Sequence, residues 1–96
     1  MVDVLERPVK HFVYILQSGD GRYYTGYTTD MKRRLKEHRQ GVGAKFTRAF
    51  GAKKILYHEI FSSKSKALKR EAEIKSWTRA EKMGLVRKGV KFLTRF

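Results

Sequence analysis

Ninety-six residues carry 23 lysines and arginines against 9 acidic side chains, and the formal charge of +14 at pH 7 indicates a polyanionic partner, with nucleic acid as the first candidate. The chain has no cysteine, which excludes disulfides, cysteine-based zinc sites and thiol nucleophiles. Its apolar runs are far shorter than the roughly 20 residues of a membrane span, and its first residues lack the apolar segment of a secretory signal. We therefore expect a single cytoplasmic domain with no membrane association.

The first two predicted elements form a β-hairpin after a tail at residues 1–10. The run "HFVYILQ" (His11 to Gln17) is rich in β-branched and aromatic residues with little alternation, which predicts a strand buried on both faces. "SGDGR" supplies turn residues, and "YYTGYT" (Tyr23 to Thr28) predicts the second strand.

Two tyrosines on this hairpin are candidates for chemistry. If the turn centres on Gly19, Tyr14 and Tyr24 lie directly opposite each other and point to the same side of the sheet. Gly26 would then leave the backbone beside them uncovered. A slip of one residue would instead place the two tyrosines on opposite faces. A packed aromatic pair without a chemical role is the alternative.

The middle of the chain predicts a helix, a loop and a third strand. Asp30 is a suitable N-cap for the helix "MKRRLKEHRQ", in which Arg34 and His38, four residues apart, project on one flank. "GVGAKFTRAFG" predicts a glycine-bounded basic loop, and "AKKILYHEIF" predicts the third strand. In so basic a chain, a solvated helix face is the alternative explanation of the arginine and the histidine.

A carboxylate interrupts the apolar stripe of the next predicted helix, which Ser63 or Ser65 could cap. Glu71 follows the helical spacing of Ala67 and Ile74. A buried carboxylate is unfavourable unless a cation or hydrogen bonds meet it. An ion pair with the arginine of the preceding helix and a metal site explain its position equally well.

The last predicted helix is short and begins with a capping box formed by Thr78 and Glu81. It completes a predicted domain at residues 11–87, and we expect residues 88–96 to form a C-terminal tail. The predicted fold class is α+β, with about three antiparallel strands and helices packed around them.

Five short motifs occur in order between residues 12 and 83. They are Val13-Tyr14-Ile15, Tyr24-Thr25-Gly26, Arg34-x-x-x-His38, "GAKFTR" (Gly43 to Arg48) and Glu71 within "ALKREAEIK". In this order and spacing the chain resembles the GIY-YIG nuclease superfamily, and within it the small single-domain proteins of the UPF0213 type, which are related to the nuclease domain of the excision-repair protein UvrC. The resemblance implies a central three-stranded antiparallel sheet flanked by helices.

The resemblance also implies a metal-dependent endonuclease that hydrolyses phosphodiester bonds. Glu71 would bind a single divalent ion, Mg²⁺ or Mn²⁺, and magnesium often takes only one or two protein carboxylates. Arg34 would hold the scissile phosphate, Tyr14 and Tyr24 jointly would supply the general base, and His38 would orient a tyrosine or contact phosphate. A cation or metal close to the phenol would lower the pKa of the tyrosine toward that of a useful base.

The basic loop is expected to hold the nucleic acid strand. Lys45, Thr47 and Arg48, together with the backbone at Gly26, would contact nucleic acid without reading its sequence. We expect DNA rather than RNA as the substrate, little sequence specificity, a role in DNA repair or recombination, and a monomer or weak dimer. The alternative function is a non-catalytic nucleic-acid-binding domain that retains the nuclease fold.

Some features depart from the family motifs. Phe12 stands where the first motif has glycine, and Thr25 stands where the second has isoleucine. The chain contains no asparagine, a residue that some homing-endonuclease relatives use near the C-terminus. Catalytic details of those relatives are therefore not transferred to this chain.

Overall fold

The computed structural model describes residues 9–89, which form a three-stranded antiparallel sheet flanked by four helices. In chain order the elements are β1 (His11–Gln17), β2 (Tyr23–Thr28), α1 (Met31–Arg39), α2 (Lys45–Phe50), β3 (Lys54–Phe61), α3 (Lys64–Lys75) and α4 (Arg79–Gly89). The strand order is β2-β1-β3, so β1 is central and β2 is an outer strand. The predicted α+β class and its three-stranded sheet are confirmed.

The central strand β1 separates the core into two layers. On one face of the sheet, β1 packs against α3 in a cluster of Val13, Ile15, Ala67 and Ile74. On the other face, β1 packs against α1 in a cluster of Tyr14, Leu16, Met31 and Leu35. The four β1 side chains are at most 1% exposed. A strand covered on both faces needs apolar residues at successive positions, which is why its sequence shows little alternation.

The hairpin forms as predicted, but its register differs. Tyr14 pairs with Gly26 and Tyr24 pairs with Leu16, so the prediction that the two tyrosines are directly opposed is wrong. The pairing centres one residue later in the turn, in which Gly21 adopts a φ of +87° that glycine tolerates without strain. This change shifts the pairing by two residues, and the tyrosines therefore remain on the same face.

The predicted helix starts are confirmed by their capping hydrogen bonds. The side chain of Asp30 accepts from the backbone N–H three residues on, and Ser63 rather than Ser65 does the same for α3. Thr78 and Glu81 form the reciprocal capping box, with N–H···O distances of 2.9 and 3.2 Å. Local sequence therefore determines where these helices begin.

The predicted basic loop contains the short helix α2, so its assignment as loop throughout is wrong. Two glycines with positive φ, Gly41 (+78°) and Gly51 (+77°), follow the ends of α1 and α2, and glycine adopts such angles without strain. Residues 44–50, which follow Gly43, contain no glycine or proline, and Thr47 is buried on the inner side of α2 at 2% exposure. Burial of this one side chain gives α2 a fixed face.

The predicted tails lie almost wholly outside the described residues, since residues 1–8 and 90–96 are not described. Among residues 9–89, no helix has both the length and the apolar character needed to cross a bilayer.

Candidate active site

The side chain of Tyr14 extends over the neighbouring strand at a glycine. A Cβ atom on Gly26 would lie 2.5 Å from the Cζ of Tyr14, a distance that no side chain can occupy. Because β2 is the outer strand, the ring extends from the centre of the sheet toward its edge. The expectation of uncovered backbone at Gly26 is wrong, since the ring covers a buried glycine. This removes the basis for a nucleic-acid contact at that residue.

A buried row of hydrogen bonds joins Tyr14 to α1 and α2. The Tyr14 hydroxyl lies 2.6 Å from His38 Nε2, and His38 Nδ1 lies 2.8 Å from the Thr47 hydroxyl. The exposed fractions of the three side chains are 1%, 0% and 2%. The prediction that Arg34 and His38 lie on one helix is confirmed, since both belong to α1.

The partners of Thr47 assign the tautomer of His38. The Thr47 hydroxyl donates to the Ala44 carbonyl at 3.3 Å, so its lone pairs are free to accept the Nδ1–H of His38. The unprotonated Nε2 then accepts the hydrogen bond from the Tyr14 hydroxyl. In this tautomer the Tyr14 hydroxyl is the donor and His38 the acceptor of the hydrogen bond between them.

Burial dominates the ionisation of both groups. It lowers the pKa of His38 to about 4, with a smaller lowering by the positive charge of Arg34, and the imidazole is therefore neutral at pH 7. Burial raises the pKa of Tyr14 above its ordinary value, and the adjacent Arg34 offsets this only in part. The nearby cation lowers the pKa of this phenol as expected, but burial outweighs it, so the tyrosine is neutral in the free protein.

Tyr24 borders the same histidine by ring contact. Its ring centroid is 6.4 Å from that of Tyr14 and 5.3 Å from that of His38. Both ring nitrogens of His38 are occupied by Tyr14 and Thr47. Tyr24 thus forms a half-buried wall of the site, and the structure distinguishes two tyrosines that the sequence left equivalent.

Arg34 is held by two acceptors and retains a buried donor. Its Nη1 donates to Glu37 Oε1 at 3.1 Å, and its Nη2 donates to the Gly43 carbonyl at 2.6 Å. The Nε–H is buried and has no well-aligned acceptor in residues 9–89, although the guanidinium is close enough to the Tyr14 oxygen to lower the pKa of that phenol. Because an unpaired buried donor is unfavourable, an entering phosphate oxygen would be stabilised by this N–H and by the charge.

Glu71 reaches the same region from the other face of the sheet. The helix α3 packs on the face opposite to α1 and also contacts the outer strand β2. The carboxylate is 16% exposed and lies 3.2 Å from Lys75 Nζ, so the alternative of an ion pair with Arg34 is wrong. The negative charge of Glu71 contributes to the raised pKa of Tyr14. Burial is the largest cause of that raised pKa, and the charge of Glu71 is the smallest.

The donor set at Glu71 fits a hydrated divalent ion and not a closed protein site. Within residues 9–89, no group of three or more histidine, aspartate or glutamate side chains could hold a metal ion. Magnesium keeps several waters and binds through one or two carboxylates together with substrate phosphate oxygens. One partly exposed carboxylate satisfies that requirement, and its ion-pair partner Lys75 is an exposed side chain.

The helix α2 separates the predicted phosphate contacts into two kinds. Lys45 and Arg48 are exposed, and their contact with nucleic acid stays a prediction. Thr47 is buried and its hydroxyl is engaged by His38 and Ala44. The expectation that Thr47 contacts nucleic acid is wrong, because it supports the histidine from the interior.

Sequence reasoning missed the roles of Thr47 and Gly43. A Cβ atom at Gly43 would lie 2.7 Å from His38 Nδ1, and the Gly43 carbonyl anchors Arg34. The available signal was the glycine pair in "GVG", since a glycine that is not needed for the turn often marks a close approach of other atoms. No local pattern could reveal the hydrogen bond between Thr47 and His38, because nine residues and a turn separate them.

Comparison with known proteins identifies the family. A family model for the GIY-YIG catalytic domain matches residues 10–84. A UPF0213 protein of Staphylococcus epidermidis is 45% identical over 80 residues, which are 83% of this chain and 98% of that protein. A UPF0213 protein of Haloquadratum walsbyi is 48% identical over 79 residues, which are 82% of this chain and 89% of that protein.

Two solution structures agree with this assignment. The UPF0213 protein of Bacillus halodurans is 46% identical with a TM-score of 0.53, and the match covers 81% of this chain and 83% of that one. A protein of E. faecalis is 38% identical with a TM-score of 0.58, and the match covers 91% of this chain and 92% of that one. This chain therefore belongs to the GIY-YIG catalytic-domain family, together with the small UPF0213 proteins.

Proposed function

We propose that this chain is a divalent-metal-dependent endonuclease that hydrolyses phosphodiester bonds of nucleic acid, DNA more readily than RNA, with little sequence specificity. The observation that carries the proposal is the hydrogen-bonded row of Tyr14, His38 and Thr47, with Arg34 on the same helix as His38. Membership of the GIY-YIG family supports a nucleic-acid substrate. A role in DNA repair or recombination stays a prediction.

The proposed proton path runs from water through Tyr14 to His38. As the attacking water gives its proton to the Tyr14 oxygen, the phenolic proton passes to His38 Nε2, so the tyrosine never ionises alone. The water oxygen forms the new bond to phosphorus, and the bond to the leaving sugar oxygen breaks. The Thr47 hydroxyl oxygen accepts the hydrogen bond from His38 Nδ1–H throughout. This holds the imidazole in the tautomer whose Nε2 can accept a proton.

Substrate binding is proposed to activate this base. In the free protein His38 has a pKa of about 4, lowered by burial and by the charge of Arg34. A phosphate bound to Arg34 would neutralise that charge and so raise the proton affinity of His38. The histidine would therefore be a weak base in the free protein and a stronger one once phosphate is bound.

Arg34 and Glu71 are proposed to stabilise the reacting phosphate. Arg34 is already positioned by its two acceptors, so binding phosphate oxygens needs little reorganisation. Glu71 would hold the Mg²⁺ or Mn²⁺, which supplies Lewis-acid stabilisation of the phosphoryl group and of the leaving oxygen when bound. Lys45 and Arg48 would hold the strand without reading bases.

Glu71→Gln tests the proposed function directly. The substitution keeps the shape of the side chain and removes its charge, and we expect cleavage of supercoiled plasmid and branched DNA with Mg²⁺ to fall at least about 100-fold, as for other losses of transition-state charge stabilisation. Glu73→Gln is the matched control on the same helix, since Glu73 is 56% exposed and pairs with Arg70. The control should cleave at the wild-type rate, and EDTA should abolish cleavage.

Two outcomes would change this interpretation. Equal cleavage by the wild type and by Glu71→Gln would contradict the metal-ligand role and would indicate a contaminating nuclease. An RNA substrate cut faster than both DNA substrates under the same conditions would overturn the assignment of DNA.

One observation favours a non-catalytic nucleic-acid-binding domain as the second candidate. Tyr14 is 1% exposed and Glu71 is paired with Lys75, so the free protein presents neither group openly. Under this alternative the wild type binds DNA and RNA but cleaves neither with Mg²⁺ or Mn²⁺. Glu71→Gln would then bind as well as or better than the wild type, because it removes a negative charge.

A further inference from the structure

A second surface feature lies beside the candidate active site, where the start of β2, the helix α2 and the start of α4 enclose a cavity of about 250 Å³. Its lining consists of three cationic and three aromatic side chains: Arg22, Tyr23, Phe46, Trp77, Arg79 and Lys82. We propose that this cavity binds one unpaired base, with its phosphate, of a single-stranded nucleic acid. This inference rests on the proposed function for its role, because it specifies the substrate of the neighbouring site.

Two cationic side chains of the cavity, Arg79 and Lys82, are constrained by their neighbours. Arg79 donates to the Gly21 carbonyl at 2.8 Å, and its guanidinium lies 4.4 Å over the ring of Tyr23. Burial and the nearby Lys75 lower the pKa of Lys82, which means that an anion beside Lys82 would relieve an unfavourable charge. A phosphate group supplies that anion.

Arg22 contributes less charge to the cavity than the other two cations. Its Nε lies 2.9 Å from the Asp20 carboxylate, and its guanidinium lies 4.2 Å over the ring of Phe50. The net attraction for phosphate therefore comes mainly from the two cations of α4, Arg79 and Lys82.

The aromatic side chains favour a base over a simple anion. Bases stack on aromatic rings and on guanidinium planes regardless of sequence, and combining stacking with a cationic groove is the usual way to bind a single strand. The volume is below the roughly 300 to 1,000 Å³ of pockets that enclose a drug-sized ligand, so it suits a single planar ring. A base stacked and paired within a duplex would have to leave the stack to enter.

The cavity shares a wall with the candidate active site. The ring of Phe46, which lines the cavity, lies 5.4 Å from the ring of Tyr24, and Tyr24 lies 5.3 Å from His38. A strand with one base in the cavity would therefore continue past the half-buried ring of Tyr24, behind which His38 is buried. The proposed substrate is accordingly an unpaired nucleotide next to the phosphate that is cut.

Trp77 provides a direct readout, because it is the only tryptophan of the chain and lines the cavity. Glu71→Gln protein in EDTA is titrated with a single-stranded oligothymidylate and with an abasic oligonucleotide of equal length, and tryptophan emission is followed. We expect the base-containing strand to quench Trp77 and to bind at least about fivefold more tightly, since one stacked base is worth that much or more. A duplex of equal length should bind without quenching.

Three variants localise the effect. Phe46→Leu keeps an apolar side chain but removes the ring, and it should reduce the preference for bases about 5-fold or more. Lys82→Ala should weaken binding of both oligonucleotides. Arg87→Ala removes an exposed charge of the same helix outside the cavity and should keep the full preference for bases.

The opposing results are equally specific. The proposal fails if the abasic strand binds as tightly as oligothymidylate, if duplex quenches Trp77 to the same extent, or if polyglutamate quenches it as strongly, which would indicate an acidic protein ligand. This titration measures binding, and cleavage is measured separately in the test of the proposed function. Base binding by a protein whose wild type cleaves nothing would contradict only the proposed function. Cleavage without base binding would contradict only the cavity.

Discussion

Single residues decide the chemistry available at this site, and Tyr14 shows this most clearly. Its hydroxyl can reach His38 only because the ring passes over a strand residue without a side chain, Gly26. The position of the glycine is explained by steric exclusion, whereas the sequence suggested that it exposes backbone. A glycine in a strand often marks such a close approach.

His38 is the residue whose burial has a measurable consequence for stability. Its folded pKa is about 4, against an ordinary value of 6.5. Between these two pH values the unfolded chain binds more protons at this position than the folded chain. Stability therefore rises with pH across this window and is lost as the pH falls from about 6.5 to 4.

We predict that His38→Gln reduces this pH dependence. The free energy of unfolding of the wild type should fall by up to a few kcal/mol between pH 7 and pH 4, measured by urea denaturation at a series of pH values. His38→Gln should be less stable at pH 7 because it disturbs the hydrogen bonds to Tyr14 and Thr47, but its stability should fall less steeply.

His58→Gln is the matched control for that measurement. Burial also lowers the pKa of His58, so its substitution should remove a separate part of the pH dependence and leave the His38 part intact. A His38→Gln curve that runs parallel to the wild-type curve between pH 7 and pH 4 would contradict a buried neutral histidine.

At the scale of elements, the sequence predicts what local chemistry determines. The bounds of β1 and β2 and the caps of three helices follow from β-branched runs, turn residues and side chains such as Asp30 and Ser63. The helix α2 was missed because the glycines around it suggested a loop. Its formation depends on the burial of Thr47 against His38, a contact between different elements.

For the candidate site, as for the elements, the sequence predicted the local features and not the contacts between elements. Arg34 and His38 share a helix flank because of their spacing, and Glu71 stood out as a carboxylate in an apolar stripe. The partners of these residues were not predictable from sequence, since they are determined by the register of the hairpin and by the packing of α2. Lys75, four residues after Glu71, is the exception, because i,i+4 ion pairs can be read from sequence.

Ser63→Ala provides a test of helix capping. The Ser63 hydroxyl accepts from the Lys66 N–H at 3.3 Å, and loss of such a cap destabilises a protein by about 1 kcal/mol. For a chain of this size the melting temperature should fall by about 4 to 8 °C, measured by circular dichroism.

Ser65→Ala is the control for the cap, because Ser65 lies within the first turn of α3 and is exposed. Its melting temperature should stay within about 2 °C of the wild type or rise slightly, since alanine is the better helix former. A larger loss in Ser65→Ala than in Ser63→Ala would reverse the assignment of the cap.

At the scale of the whole molecule, the candidate site is assembled at one edge of the sheet from both of its faces. Tyr14, Tyr24 and His38 come from the face covered by α1, and Glu71 comes from the helix on the other face. The exposed cations of α2, Lys45 and Arg48, are carried by the same helix that supports His38 through Thr47. Folding of this edge therefore brings together the cations proposed to bind phosphate and the proposed proton acceptor.

The double variant Lys45→Ala/Arg48→Ala tests whether α2 holds the nucleic acid backbone. Each phosphate contact contributes about 0.9 to the slope of log K against log salt concentration on duplex DNA, so we expect that slope to become shallower by about 1 to 2. The affinity should fall for every sequence tested, because phosphate contacts carry no base information.

Lys66→Ala/Lys69→Ala is the control, because it removes the same charge from exposed positions on α3. It should leave the slope within about 0.5 of the wild type. If both double variants lowered the slope equally, the whole cationic surface rather than α2 would hold the strand, since the net charge of +14 would then act without a preferred face.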